Sequence, residues 1–146
     1  MLDKRYIGKT YSRFFFDVEK GRIRQFADAI GDPDPVYRDV AVARAAGYRT
    51  IPAPPTFAFV AVMDSDQMFM PLRELGVDMT RTLHGEQWFD YGAPIYAGDL
   101  LSGETKIVDI YDKKGGALEF IVLETALTNQ NGERAATMRG IVVVRN

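Results

Sequence analysis

The segment Phe26–Asp39, FADAIGDPDPVYRD, sets Asp32, Asp34 and Tyr37 close together behind Gly31 and around Pro33 and Pro35. A proline ring fixes φ directly after each acid, so the carboxylates are held in a rigid corner instead of a loose loop. A carboxylate can activate a water molecule, and a phenol can donate or accept a proton. The single histidine, His84 in TLHGEQWFDY, is the other side chain suited to proton transfer near neutral pH. Each also has a plain reading. Asp32 and Asp34 would cap turns, Tyr37 would pack in an interface, and His84 would be a strand histidine satisfied by a carbonyl.

Other chemistries are closed off by composition. The chain has no cysteine and one histidine, which excludes disulfides, thiolate zinc sites, cysteine nucleophiles and multi-histidine metal centres. A net charge of −2 and a pI near 5.4 leave no basic excess to neutralise nucleic-acid phosphates. A serine hydrolase lacks its Gly-x-Ser-x-Gly elbow. No run of ~18 apolar residues exists to span a bilayer, and MLDKRYIGKT has no apolar secretory core, so a cytoplasmic protein is expected. At 146 residues, a single domain over 1–146 is expected.

The elements that must hold these residues fall into two halves. Aromatic and β-branched residues predict a strand over Ser12 to Phe16. A helix capped by Asp17 comes next, with Ile23, Phe26, Ala27 and Ile30 on one face and Gly31 as its left-handed stop. A short helix over Asp39 to Ala46 has Asp39 as N-cap and Gly47 beyond its end. Pro52, Pro54 and Pro55 make RTIPAPPTF a loop, and Thr56 is placed to cap the element beyond it.

FAFVAVM, Phe57 to Met63, is apolar on all sides, and the prolines before it favour a helix. Such a helix must be enclosed by other elements. A short helical turn, MPLRELG, ends at Gly76. From Thr80 the pattern changes to long strands: one to about Tyr91, then GDLLSGETKIVDIYD, ALEFIVLETALTNQ and RAATMRGIVVVRN, with KKGG and NG as hairpin turns. This predicts an α+β chain with a long antiparallel meander. Strands of about 10 residues curl through accumulated twist, and curling them round one apolar helix describes a hot-dog fold.

AIGDPDPVYRD, followed by AGYRTIPAPPTF, resembles the MaoC-like enoyl-thioester hydratases and dehydratases. That family carries Gly-Asp-x-Asn-Pro-aliphatic-His after a helix, then a proline loop into the central helix. HGEQWFDYGAPIYAGDLL looks like the FAS1-type dehydratase subgroup, with its His-Gly-Glu-Gln strand and Ala-Gly-Asp turn. The resemblance spans roughly Tyr6 to Arg145 and implies Gly31 as the turn glycine and Asp32 as the catalytic aspartate. Pro35 and Val36 keep the pattern. Asp34 replaces the usual asparagine, and Tyr37 stands where the catalytic histidine belongs.

Hydrating an α,β double bond needs a base for the water, an acid for Cα and donors for the enolate oxygen. The resemblance implies that the start of the Phe57 helix supplies such donors, with Asp34, Pro55, Thr56, Phe57 and Gly85 around the substrate. It implies a CoA or acyl-carrier-protein thioester as substrate and no cofactor. Tyrosine is a poor base, since at a pKa of ~10 about one molecule in 10³ is ionised at pH 7.

Three readings of the corner therefore stand. It is purely structural; it belongs to the non-catalytic half of a heterodimeric dehydratase; or it works by altered chemistry in a homodimer that hydrates enoyl thioesters unaided, using Asp32 with Tyr37 or with a His84 oriented by Asp32 or Glu86. A hot-dog thioesterase is a further alternative, weakened because Phe57 to Met63 contains no acid. Met68, Phe69 and Met70 are core filling or the lining of an acyl pocket. Trp88, Phe89 and Tyr91 are sheet packing or dimer contacts. Lys4, Arg5, Lys9, Lys113 and Lys114 are a solvated face or the phosphate contacts of a CoA. A single curled sheet leaves edges to cover, so a homodimer, or a heterodimer with another MaoC-like subunit, is expected.

Overall fold

The computed structural model describes residues Met1–Asn146. Five antiparallel strands form one sheet: β1 (Phe14–Asp17), β2 (Thr82–Tyr91), β3 (Leu100–Lys113), β4 (Leu118–Thr128) and β5 (Arg134–Arg145). Four short α-helices accompany them: α1 (Lys20–Ala29), α2 (Val40–Ala45), α3 (Ala58–Asp64) and α4 (Met70–Glu74). This is the expected α+β hot-dog arrangement, with α3 enclosed by the sheet.

The strand order is β1-β3-β4-β5-β2. Only β3, β4 and β5 form a meander. The expectation of a continuous meander fails at β2, which pairs with β5 and lies at the far edge of the sheet. Local pattern announces a strand but not its neighbour, and no tight turn joins β2 to β3. Instead the chain from Gly92 to Asp99 docks elsewhere: Gly98 N–H donates to Val18 O at 2.7 Å and Ala97 N–H to Ile51 O at 2.9 Å.

Side-chain alternation explains how the long strands close on α3. Leu101, Thr105 and Ile107 of β3 are buried on the inward face. The register slips by one residue between Ile107 and Asp109, so the next inward residue is Ile110. The bulge bends the strand and keeps an apolar residue inward past the bend. Ile121, Leu123 and Leu127 of β4 and Met138, Val142 and Val144 of β5 complete the sheet's side of the core.

From α3, Ala58, Val60, Ala61 and Val62 are all buried. Phe57 has no exposed surface and meets Phe26 edge-on at 5.6 Å and Phe16 at 6.2 Å between ring centroids. Its ring ties α1 and β1 to the entry of the central helix.

Several boundaries differ from those the sequence predicts. β1 starts at Phe14, two residues later than expected. Asp17 is its last residue and caps nothing; Glu19 occupies the N-cap of α1 without a side-chain bond. Thr56 also caps nothing, because Pro55–Phe57 forms a 3₁₀ turn that leads directly into α3. Asp39 does cap α2, accepting from Ala41 and Val42 N–H. Gly31, at φ +72°, ends α1 in the left-handed conformation.

Replacing Phe57 by alanine removes a wholly buried ring at the junction of three elements. We expect Phe57→Ala to lower unfolding stability by roughly 3–5 kcal/mol, read as a fall in the denaturant midpoint at constant slope.

Candidate active site

The corner after α1 is built by its own carboxylates. Asp32 Oδ1 accepts from Asp34 N–H at 3.0 Å, and Asp34 Oδ1 accepts from Val36 N–H at 3.0 Å. Each acid closes a local turn, the role short acids adopt where backbone donors would otherwise go unpaired. Arg38, unmarked by any sequence motif, then clamps the corner from behind. Its guanidinium donates to Asp32 O at 2.8 Å, Asp34 O at 2.9 Å and Asp28 Oδ1 at 2.5 Å. Nothing in the local pattern distinguishes this arginine from a solvated one.

Tyr37 emerges from that corner into a cavity of about 320 Å³. Tyr48, Pro52, Pro55, Tyr91 and Ile95 share its wall. Asp32 does not line this cavity, although its charge is felt there. Burial, then the charges of Asp32 and Asp34, then Tyr48, push the Tyr37 phenol above its ordinary pKa. The ring is therefore a neutral hydrogen-bonding group at physiological pH and not a base.

His84 lies elsewhere. It stacks on Phe59 of α3 at 5.5 Å and 20°, and it lines a separate cavity of about 170 Å³ with Met63, Met68, Phe69, Leu72 and Val142. Its Nε2 donates to Gln87 Oε1 at 3.1 Å, since an amide oxygen can only accept. Tyr37 and His84 thus belong to the walls of different cavities, and neither wall includes Asp32. Glu86, a candidate orienting group, has no bond to His84.

The expected substrate-contacting residues separate in the same way. Pro55 lines the Tyr37 cavity, whereas Asp34 is exposed and committed to its turn. Thr56 is exposed, Phe57 is sealed in the core, and Gly85 is exposed at a bulge of β2. Neither cavity has these three in its wall. A side chain at Gly85 would collide with Val143, its Cβ lying 2.8 Å from Cγ2. The α3 entry offers little to an oxyanion. Pro54 and Pro55 have no N–H, Phe57 N–H is spent on Pro54 O at 2.9 Å, and only Thr56 N–H makes no bond within the chain.

A network centred on one buried carboxylate braces the loop that carries Pro52 and Pro55. Asp99, 1% exposed, pairs with Arg49, accepts from Gln130 Nε2 at 2.9 Å and accepts from Tyr96 N–H at 2.8 Å. The Arg49 guanidinium also lies over the Tyr96 ring at 4.3 Å. The Ala-Gly-Asp turn is visible in sequence, but its partner lies 50 residues away.

Of the basic residues considered for phosphate contact, Lys4 meets Asp112, Arg5 meets Asp3 and Lys9 meets Glu74. Lys113 lies over Tyr111 and Phe120. No group of three or more His, Asp or Glu side chains is placed to hold a metal ion, and no helix is long and apolar enough to cross a membrane.

The family model for the FAS1-like dehydratase domain region matches residues 5–138. A UPF0336 protein of Thermobifida fusca is 38% identical over 145 residues, covering 99% of this chain and 94% of the relative. Among solved structures, the HadBC (3R-hydroxyacyl-ACP dehydratase) complex of Mycobacterium tuberculosis superposes with a TM-score of 0.79 at 24% identity, over 94% of this chain and 96% of that one. A MaoC-like dehydratase superposes at 0.81 with 26% identity, over 97% of this chain but 42% of the other. The chain belongs to the FAS1-like dehydratase family, MaoC-like hydratases and dehydratases built on the hot-dog fold.

The raised tyrosines give a pH signature. Burial lifts Tyr91 as well, and burial together with donation to Glu74 at 2.8 Å lifts Tyr11. The fold holds these protons more tightly than the unfolded chain does. Their stabilising contribution is therefore complete below the unfolded pKa of ~10 and lost as pH rises through the higher folded values. We expect tyrosinate absorbance to appear at higher pH in the native than in the denatured protein, with Tyr37→Phe removing part of the late phase. The denaturant midpoint should be insensitive to these groups below about pH 9 and fall above about pH 10.

Proposed function

We propose that this chain is the acyl-holding subunit of an acyl-thioester hydratase or 3-hydroxyacyl dehydratase. It acts on CoA or acyl-carrier-protein thioesters, with the base and acid supplied by a second MaoC-like subunit. The observation that carries the reading is the state of the corner: Tyr37 is held as a neutral phenol, while Asp32 and Asp34 are occupied in closing turns. The corner keeps the shape of the family motif without its histidine, and each of its carboxylates has one oxygen committed to a backbone turn.

Tyr37 can still donate a hydrogen bond to a thioester or pantetheine oxygen at the rim of its proline-lined cavity. The apolar cavity beside His84, walled by Met63, Met68, Phe69 and Leu72, suits a hydrocarbon chain. Exposed apolar residues support a covering partner. Leu83, Trp88 and Tyr91 on edge strand β2 are each about half exposed, and Phe15 on the opposite edge is 65% exposed. The HadBC structure, similar in fold, is itself a complex.

Two other readings have less support. A self-sufficient enzyme would need Asp32, which lines neither cavity, to work either with a Tyr37 phenol held neutral or with a His84 that belongs to a separate cavity. A thioesterase would need an acid on the central helix. The one acid of α3, Asp64, is its last residue and is paired with Arg22 at 2.9 Å.

Crotonyl-CoA hydration, followed by loss of enoyl-thioester absorbance, tests the proposal. The purified chain alone should give no turnover above background. Activity should appear on adding a MaoC-like subunit with an intact Gly-Asp-x-Asn-Pro-x-His. Robust turnover by the chain alone, abolished in His84→Ala, would overturn it.

A further inference from the structure

One polar group in the core has no use in the corner or at the His84 cavity. Gln67 lies just past α3 and is 5% exposed. Its amide nitrogen donates to Ser65 O at 3.3 Å. That carbonyl can only accept, so the orientation of the amide is fixed and Oε1 must face the other way. Oε1 is the one fully buried side-chain nitrogen or oxygen without a hydrogen-bond partner. Buried acceptors are almost always paired, so this one calls for an occupant.

Gln67 lines a cavity of about 20 Å³ between α3 and the sheet. Thr105 and Thr125 also line it, facing each other across β3 and β4 with their hydroxyl oxygens 2.8 Å apart and both buried. Two hydroxyls carry two hydrogens and share one bond, which leaves one hydrogen for a third group. Gln87 also lines the cavity, with its amide oxygen bonded to His84 and its nitrogen to Trp88 O, so the cavity presents a spare threonine donor and the spare Gln67 acceptor. One oxygen that both accepts and donates satisfies the two together, and the space suffices for one such oxygen. A methyl group satisfies neither, and a carbonyl oxygen satisfies only the threonine.

Phe59 and Met68 line this cavity and also the apolar cavity beside His84. These two side chains are shared by both walls, and methionine is a residue that rearranges easily.

We propose that Gln67, Thr105 and Thr125 form a hydroxyl-binding site at the inner end of the acyl cavity. One water fills it in the free chain, and a hydroxyl carried on the bound acyl chain fills it in the complex. The protein then prefers hydroxylated acyl thioesters over plain hydrocarbon ones. This deepens the acyl-holding reading and rests on it. A hydrocarbon tail that reaches the site leaves Gln67 and the threonine pair unsatisfied, whereas a hydroxyl at that depth restores both bonds. Specificity of this kind comes from the penalty on the wrong ligand as much as from attraction to the right one.

Calorimetric titration with saturated acyl-CoAs of increasing length, and with the same chains bearing a terminal hydroxyl, tests this. The wild type should bind the hydroxylated form about tenfold more tightly at the length that reaches the site, the worth of one or two buried hydrogen bonds. Gln67→Met, close in volume and without the amide, should reduce that preference to within about twofold and leave affinity for the plain chain equal or higher. Thr125→Val provides an independent check should Gln67→Met not fold.

Binding of plain chains with no hydroxyl preference at any length would overturn the hydroxyl site and leave the acyl-holding reading standing. Failure to bind any acyl-CoA would overturn both. A high-resolution structure distinguishes the two oxygens. A water that remains in place when hydroxyacyl-CoA is bound would overturn the ligand role of the site.

Discussion

A helix that is apolar on every side cannot rest on a surface, and this one requirement organises the molecule. Ala58, Val60, Ala61 and Val62 bury α3 over most of its length, and only Met63 and Asp64 at its C-terminal end are exposed, so it is stable only where a sheet curls around it. Long strands are the result of that demand. A strand of ordinary length would cover a single face of the helix, whereas β3, β4 and β5 run 14, 11 and 12 residues and accumulate enough twist to wrap it. The bulge in β3 lets a strand of that length bend without turning its apolar residues outward.

The same requirement places the cavities. α3 packs on the sheet through small and branched side chains, so spaces remain where larger neighbours do not fill them. One opens at the entry of the helix, under Tyr37 and the proline loop; the other opens along its side, beside the stacked Phe59 and His84. The loop over the first is held by the Arg49–Asp99 pair and its hydrogen bonds to Gln130 and Tyr96. A buried carboxylate with several donors fixes a geometry more than it adds stability, and here it fixes where Pro52 and Pro55 meet Tyr37.

Electrostatics decides what the corner can do. Burial first, and then the two neighbouring carboxylates, make the ionised form of the Tyr37 phenol less favourable, so Asp32 and Asp34 add to what moves it away from basic chemistry. A histidine there would respond in the opposite sense, because an acid neighbour favours the imidazolium. A tyrosine in place of a histidine thus reverses the effect of the surrounding charges on the protonated form.

The sequence by itself determined the elements and the family. The all-apolar run Phe57–Met63, the hairpin turns at Lys113–Gly116 and Asn131–Gly132, the left-handed stop at Gly31 and the glycine–acid–proline corner are local signals, set by backbone preference and side-chain periodicity within a few residues. What only the tertiary structure decided are relations across distance. These include β2 crossing to the far edge beside β5, Arg38 reaching back over the corner, Arg49 meeting Asp99, and Phe57 disappearing between Phe16 and Phe26. The separation of Tyr37 from His84, and the unpaired amide of Gln67 opposite Thr105 and Thr125, are of the same kind. Such relations depend on how far each strand twists and which faces meet as the sheet closes on α3, quantities summed over the whole chain that no short stretch of residues encodes.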